Sequence, residues 1–546
     1  MPFRPHSSAT RVLREQAENV AMLARLTRDF PRYLRKPVAV ESARQRTFRR
    51  MAQRDRRFLR LVELAIYRRP RSPYRRLLEH AGCEPGDLHA LVAQEGLEGA
   101  LRVLATRGVS VTFDEFKGRR PVVRGSLRFD VEARDFDNPV VPPHFLLLTS
   151  GSAGTPSRVR QPLHNTADGA SAVALALDAH GIKNPRNLFW FAPLMTWPFL
   201  HLKLGHTIDA WYSPLERLPP HVNAALHYLS ALARVGGRHL PVPRYLDPQD
   251  PQPVVEWLIR NISPDRPIVV NTRTSTAVRI ALAAQAQGHS LDGVVFHGRG
   301  EPLSAARREH LEQSGAHVLA SYSSAELPFI AYLCPESRIA DDLHVCLDRY
   351  AVIGHQRPAF TGGPVVASLL TTTIAIGAGK LALNTELGDA GDVTARDCTC
   401  RFGSYGYRTR IANIRSFEKL SSEGTTFARE DVLTILETTL PARFGGSAVD
   451  YQVVEEEAPN GASLLILRVH PGVGPVDPAA IRTTLLEELA RGGEMDAYRV
   501  RLIERARSIV VRRLPPVMTG AGKVLPFQLA KGARSIRTTP ASSGGC

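Results

Sequence analysis

Leu146-Leu147-Leu148-Thr149-Ser150-Gly151-Ser152-Ala153-Gly154-Thr155-Pro156 is the stretch on which the reading of this chain turns. An apolar strand empties into a loop of hydroxyls and glycines. Such a loop bends at little cost and carries no side chain large enough to block a ligand. Its backbone N–H groups and its Thr and Ser hydroxyls can converge on an anion such as a nucleotide phosphate. From these residues alone, a Ser/Gly surface linker is the alternative. The loop is not of the Walker type, which needs Gly-Lys-Ser/Thr opening a helix. Ser157-Arg158 stand where that lysine belongs. A lysine in a glycine loop occurs instead near the C-terminus, in Thr519-Gly520-Ala521-Gly522-Lys523. Two small polar loops at opposite ends of the chain suggest a site closed by a mobile second domain.

Further motifs lie between these loops. They are Gly300-Glu301-Pro302-Leu303-Ser304, Tyr322-Ser323-Ser324-Ala325-Glu326-Leu327 and Glu386-Leu387-Gly388-Asp389, followed by Arg415 nine residues before Gly424. The loop Thr149, Ser150, Gly151, Ser152, Gly154, Thr155 resembles the phosphate-binding loop of acyl-adenylate-forming enzymes, and Lys523 resembles their catalytic lysine. The middle motifs are similar to those of the phenylacetate–CoA ligase branch, and they fall in the family's order over roughly residues 70–530.

The resemblance implies a fold and a chemistry. The expected fold is α/β: a large N-terminal adenylate-forming domain of layered sheets and helices, then a small C-terminal α+β lid. The expected reaction joins a carboxylate to the α-phosphorus of ATP, expels pyrophosphate, and passes the acyl group to CoA. Two anions must approach each other, so the protein's task is positioning and electrostatic stabilisation. Lys523 would bridge the carboxylate oxygen and the α-phosphate. Glu326 would hold Mg²⁺, which prefers carboxylate and phosphate oxygens. Asp389 would accept the ribose hydroxyls, and Arg415 would reach ribose or phosphate at the hinge. Gly300, Glu301 and Pro302 would line the adenine pocket, Tyr322 would stack on the base, and Ser324 would lie beside the nucleotide.

Several positions depart from the branch pattern. Ala325 replaces a threonine, Ser323 a glycine, Asn384-Thr385 an Arg-Tyr pair, and Phe417-Glu418 the hinge aspartates. These keep a catalytically degenerate member acting as a binding subunit in view. So do ligases that pass the acyl group to a carrier protein or an amine. The acyl pocket is read from Trp190, Phe191, Trp197, Phe199 and His201, with Asn271, Arg273 and Ser275 as polar additions and ordinary core packing as the alternative.

Composition bounds the rest. A chain of 546 residues should hold two or more domains. The expected division is a basic helical extension over 1–70, the large domain over 71–414, the lid over 415–531 and a disordered tail over 532–546. Helical periodicity is expected over 10–35 and 41–68, with a third helix from Ser72. Net charge is +17, yet residues 1–76 hold 21 of the 70 Lys/Arg and only 6 of the 53 Asp/Glu. The basicity therefore belongs to the N-terminal segment, either as an arm for an acidic partner or as a solvated extension. A small carboxylic acid is the expected partner, with a carrier protein or a second copy of the chain allowed and nucleic acid not favoured. No run approaches the ~20 apolar residues of a membrane span. The opening Met-Pro-Phe-Arg-Pro-His has no apolar signal region, so the expected location is the cytoplasm.

Six cysteines remain. Cys398-Thr399-Cys400 follows Asp389, and Cys334 precedes His344 by ten residues, with Cys346 close by. A Cys₃His set suits tetrahedral Zn²⁺. The expected ligands are Cys334, His344, Cys398 and Cys400, with Cys346 in reserve. Cys-x-Cys is tighter than the common spacing, and scattered free cysteines are the alternative.

Overall fold

The computed structural model describes residues 8–148, 158–247, 250–358, 365–416, 419–422, 425–447, 450–458, 463–491 and most of 497–517, with a short strand at Phe527–Gln528. The glycine–serine loop (Thr149, Ser150, Gly151, Ser152, Gly154, Thr155), Lys523, the hinge pair Phe417-Glu418 and the tail 532–546 lie outside the described residues.

The apolar runs Ile268-Val269-Val270 and Val294-Val295-Phe296 are buried throughout. Continuous rather than alternating burial is what a strand covered on both faces requires. These runs sit in the middle of one 12-stranded sheet. Its strands in chain order are β1 (Arg186–Trp190), β2 (Thr207–Ser213), β3 (Arg244–Tyr245), β4 (Ile268–Arg273), β5 (Val294–Arg299), β6 (His317–Tyr322), β7 (Ala331–Leu333), β8 (Leu343–Val345), β9 (Tyr350–Pro358), β10 (Val365–Thr373), β11 (Thr385–Ala395) and β12 (Thr409–Ser416). The spatial order is β9-β10-β11-β12-β8-β7-β6-β5-β4-β1-β2-β3. From β3 to β6 neighbours are parallel; from β6 to β9 they are antiparallel. Strand β6 is thus the junction between the two halves. The fold is mixed α/β, as the sequence indicates.

Phe145–Leu148 is a strand, but it stands outside the main sheet and pairs antiparallel with Arg158–Gln161. Its burial alternates, Phe145 and Leu147 being inside and Leu146 less so, which fits a half-covered hairpin. Leu148 faces Arg158, so this hairpin holds both ends of the glycine–serine loop. Over 365–383 only β10 is strand; the remainder runs as a buried connection that places the Lys380 ammonium 2.6 Å from Asp137.

The basic N-terminal segment is not a free arm. It forms α1 (Ser8–Arg35), α2 (Val40–Ala52) and α3 (Arg54–Val62). Leu26, Phe30 and Leu34, four residues apart on one face of α1, are buried with Phe145 and Phe199 in a shared core. The arginines of α2 and α3 reach the body: Arg44 donates to Asp178 at 2.6 Å, Arg50 to Asp168 at 2.6 Å and Arg54 to Glu98 at 2.6 Å. Part of the segment's charge is therefore met inside the molecule, and Phe58, Leu61 and Ile66 share a core with the strands of the main sheet.

Burial alone would raise the Asp168 carboxyl, but Arg50 and Arg349 hold it below the usual carboxylate range. A folded value depressed below the unfolded one stabilises the protein above the unfolded value, about 3.9 for Asp. That contribution is lost as pH falls through the folded value. Arg50→Gln should cost about 1–3 kcal/mol at pH 7, since Arg349 still faces Asp168. The gap from the parent protein should narrow as the pH is taken below about 4. Denaturant midpoints at pH 7 and pH 3.5 measure both; a gap that widens in acid would contradict the pairing.

Residues from Val432 onward build a second core. A four-stranded sheet combines Tyr451–Glu457, Ser463–Val469, Ile509–Arg513 and Phe527–Gln528. Leu436, Leu440, Leu467, Ile481 and Leu485 fill the space beneath it, the last two from helix Pro478–Ala490. Strand Ile509–Arg513, parallel to Ser463–Val469, went unread in the sequence because it is short and half charged.

Candidate functional site

The sequence motifs lie at the carboxyl ends of β4, β5 and β6 and on the facing β11 and β12. In open α/β sheets this is where ligands bind. At the end of β5 the chain turns through Gly300 with φ +77°, a left-handed conformation that favours glycine. Glu301 follows, and its carboxylate accepts the Ser275 N–H at 2.8 Å and the Ser275 hydroxyl at 2.9 Å. It thereby satisfies an otherwise unpaired N–H in the first turn of the helix Thr274–Ala286. Pro302 supplies a carbonyl to Arg307 at 3.0 Å. These residues fix the loop; Glu301 is committed to the helix start.

Tyr322 ends β6, and its hydroxyl donates to Asp389 Oδ2 at 2.9 Å. Burial pushes the Tyr322 hydroxyl well up, and the Asp389 carboxylate adds to this, so Tyr322 remains a donor. The contact joins the two halves of the sheet across 67 residues of sequence. Asp389 on β11 pairs in register with Ser416 on β12, beside Arg415. Arg415 turns to Asp341, 3.3 Å away, and to the Ile414 carbonyl at 2.6 Å. Ser324 closes a turn by accepting the Leu327 N–H at 3.0 Å, with its own N–H donating to the Leu327 carbonyl.

Glu326 is 5% exposed and forms an ion pair with Lys117. Burial opposes its ionisation, but the Lys117 ammonium prevails and holds the carboxyl below its usual range. Lys117 follows the short helix Phe113–Phe116, and the pair spans 209 residues. Nothing in the local sequence marks that lysine. Lys117 contacts one oxygen of the carboxylate, Oε1.

The aromatic set divides. Trp190 and Phe199 are buried core residues. Phe191 and Trp197 instead hold the guanidinium of Arg299, whose Cζ lies 4.4 Å and 3.5 Å from their ring centroids. Of the polar additions, Ser275 is engaged by Glu301, Asn271 is buried, and Arg273 pairs in register with Arg299 on the adjacent strands. Arg299 was missed in the sequence. Its only signal is a charged residue that ends a strand with an apolar core, just before the Gly-Glu-Pro turn.

The cysteine set comes together. Ligand atoms of Cys334, His344, Cys398 and Cys400 lie within 4.8 Å of one another. Cys334 Sγ is 3.8 Å from Cys398 Sγ and 3.9 Å from Cys400 Sγ. Two Zn–S bonds of about 2.3 Å at the tetrahedral angle put sulfurs roughly 3.8 Å apart. His344 presents Nε2 to Cys400 Sγ at 3.3 Å while Nδ1 faces the Tyr407 carbonyl at 2.7 Å. A proton on Nδ1 donated to that carbonyl leaves Nε2 free to ligate, a common second-shell arrangement at metal sites. A hydrogen bond from Cys400 draws the Cys334 thiol well below its ordinary range. The loop is tight enough that a side chain at Gly403 would put its Cβ 1.9 Å from the Cys398 carbonyl oxygen. Cys346 stands apart from the set and is buried in the main core.

No family model and no curated protein matches this chain. Among solved structures it is similar to 2-hydroxyisobutyryl-CoA ligase in complex with 2-HIB-AMP and CoA, at 14% identity over 91% of both chains and a TM-score of 0.49. It is similar also to amide bond synthetase McbA from Marinactinospora thermotolerans, at 15% identity over 91% of this chain and 98% of that one and a TM-score of 0.41. A malonyl-CoA ligase product complex gives 17% identity over 69% and 72%, with a TM-score of 0.41. All three superpose below a TM-score of 0.5, so no residue role passes from them to this chain.

Among the described residues no helix is long and apolar enough to cross a membrane.

Proposed function

We propose that this chain is an ATP-dependent carboxylic acid ligase. A carboxylate oxygen attacks the α-phosphorus of ATP, the bond to pyrophosphate breaks, and the acyl-AMP then passes its acyl group to CoA. The observation that carries this reading is the Tyr322–Asp389 hydrogen bond, which brings two distant motifs to one end of the parallel strands. Asp389 would take the ribose hydroxyls with Tyr322 fixing its carboxylate. The hairpin Phe145–Leu148/Arg158–Gln161 would present Thr149, Ser150, Gly151, Ser152, Gly154 and Thr155 to the phosphates. Lys523 would meet the reacting oxygens. Arg415 would serve ribose or phosphate after leaving Asp341. Glu326 would offer Mg²⁺ its other carboxylate oxygen, Oε2, since Lys117 contacts Oε1. An amine or carrier-protein thiol is the alternative acceptor, and product analysis after adding CoA, amines or a phosphopantetheinyl carrier separates them.

The Cys₃His set would hold zinc as a structural ion. A closed four-ligand shell has no open position for chemistry and ties the loop after β11 to β7 and β8. Protein purified without chelator should contain about one zinc per chain. Cys400→Ser should lose the metal and melt earlier, by several degrees. Metal-free parent protein with an unchanged melting temperature would remove zinc from the account.

A further inference from the structure

Arg299 is 4% exposed, and none of its three guanidinium nitrogens has a hydrogen-bond partner. Among the described residues it forms no ion pair. Arginine keeps its charge in proteins, and a buried charge without a partner is strongly disfavoured. The rings of Phe191 and Trp197 address the faces of the guanidinium. Rings on the faces leave the in-plane N–H donors unused, and these are the donors that grip a carboxylate in bidentate fashion. Of the buried groups that feel the charge of Arg299, His297 Nδ1 and Tyr332 Oη also lack partners. His297 is held on its other side by Ser321 at 3.1 Å, and Trp197 stands edge-on to its ring at 5.3 Å. A buried cation with three unused donors at the carboxyl end of β5 calls for an anionic partner.

We infer that Arg299 receives a second carboxylate of the substrate, so that the acid activated by this chain is a dicarboxylate. This rests on the ligase reading above. The carboxylate being activated cannot be the partner of Arg299. It loses its charge on becoming an anhydride, and a buried cation bound to it would hold the ground state more tightly than the transition state. A second carboxylate keeps its charge throughout. It would bind Arg299 equally in both states and anchor the acid while the first carboxylate reacts.

The test is ATP–pyrophosphate exchange with matched acids: benzoate against isophthalate and terephthalate, and butyrate and hexanoate against succinate and adipate. A site built around a buried partnerless donor rejects the analogue lacking its partner strongly. The best diacid should exceed its matched mono-acid in kcat/KM by at least about 10²-fold. In Arg299→Leu, and less fully in Arg299→Lys, that preference should fall at least tenfold. Melting curves give a readout free of chemistry, which also covers a variant that folds poorly: the favoured diacid should raise the melting temperature of the parent protein and not that of Arg299→Leu. Mono-acids exchanging as well as their diacid partners would overturn the inference and leave the ligase reading intact. Exchange with no acid, together with Arg299-dependent stabilisation by a diacid, would end the ligase reading and keep the dicarboxylate site. Neither preference nor stabilisation by any diacid would overturn the inference outright.

Discussion

Replacing Lys523 with Ala should lower the rate of acyl-AMP formation by about 10²–10³-fold, equivalent to about 3–4 kcal/mol of lost transition-state stabilisation. Attack on the α-phosphorus gathers negative charge from two anions, and the lysine of Thr519-Gly520-Ala521-Gly522-Lys523 is the cation assigned to meet it. The interaction is made in the transition state, so the loss should appear in kcat with little change in the KM for ATP. The melting temperature should stay within a degree or two of the parent, because the substitution removes a glycine-loop lysine and no core residue. Steady-state pyrophosphate exchange with a melting curve on the same sample measures both. Parent-like exchange in the variant would take Lys523 out of the reaction.

Lys117→Met should destabilise the large domain by about 3–5 kcal/mol, because it leaves the buried Glu326 carboxylate without its cation. Adding Glu326→Gln to Lys117→Met should recover much of that loss, since the uncompensated charge is then gone. The sign with pH follows from the depressed carboxyl of Glu326. Its contribution is present above the unfolded value, about 4.3 for Glu, and disappears as pH falls through the folded value. The penalty of Lys117→Met should therefore shrink in acid, where Glu326 takes up a proton in either protein. Denaturant midpoints of the two single variants and the double variant complete the cycle. Additive losses would mean that the two side chains do not act as a pair.

What could be read from the sequence was what is encoded locally. Val294–Arg299 and Ile268–Arg273 announce themselves by unbroken apolar runs, and both lie in the centre of the sheet. The cysteine set was legible because Cys-x-Cys and a Cys…His pair leave a spacing pattern, and their ligand atoms meet within 4.8 Å. The strand Phe145–Leu148 was legible, but its pairing with Arg158–Gln161 was not, since four apolar residues do not say which sheet they join. Lys117 and Arg299 were invisible for a different reason. Each matters through partners brought by the fold from 209 and about 100 residues away, and no local pattern encodes such a meeting. The basic N-terminus shows the same limit. Its composition left open an arm or a solvated extension, while the placement of Arg44, Arg50 and Arg54 opposite Asp178, Asp168 and Glu98 is a property of tertiary structure.

The central claim is that this chain joins a carboxylic acid to AMP. Incubating the purified protein with ATP, labelled pyrophosphate and a panel of mono- and dicarboxylic acids tests it most directly. The expected result is label entering ATP only when a particular acid is present, with Lys523→Ala inactive in the same assay. Acid-independent exchange, or none with any acid in a protein that is folded and binds ATP, would contradict it.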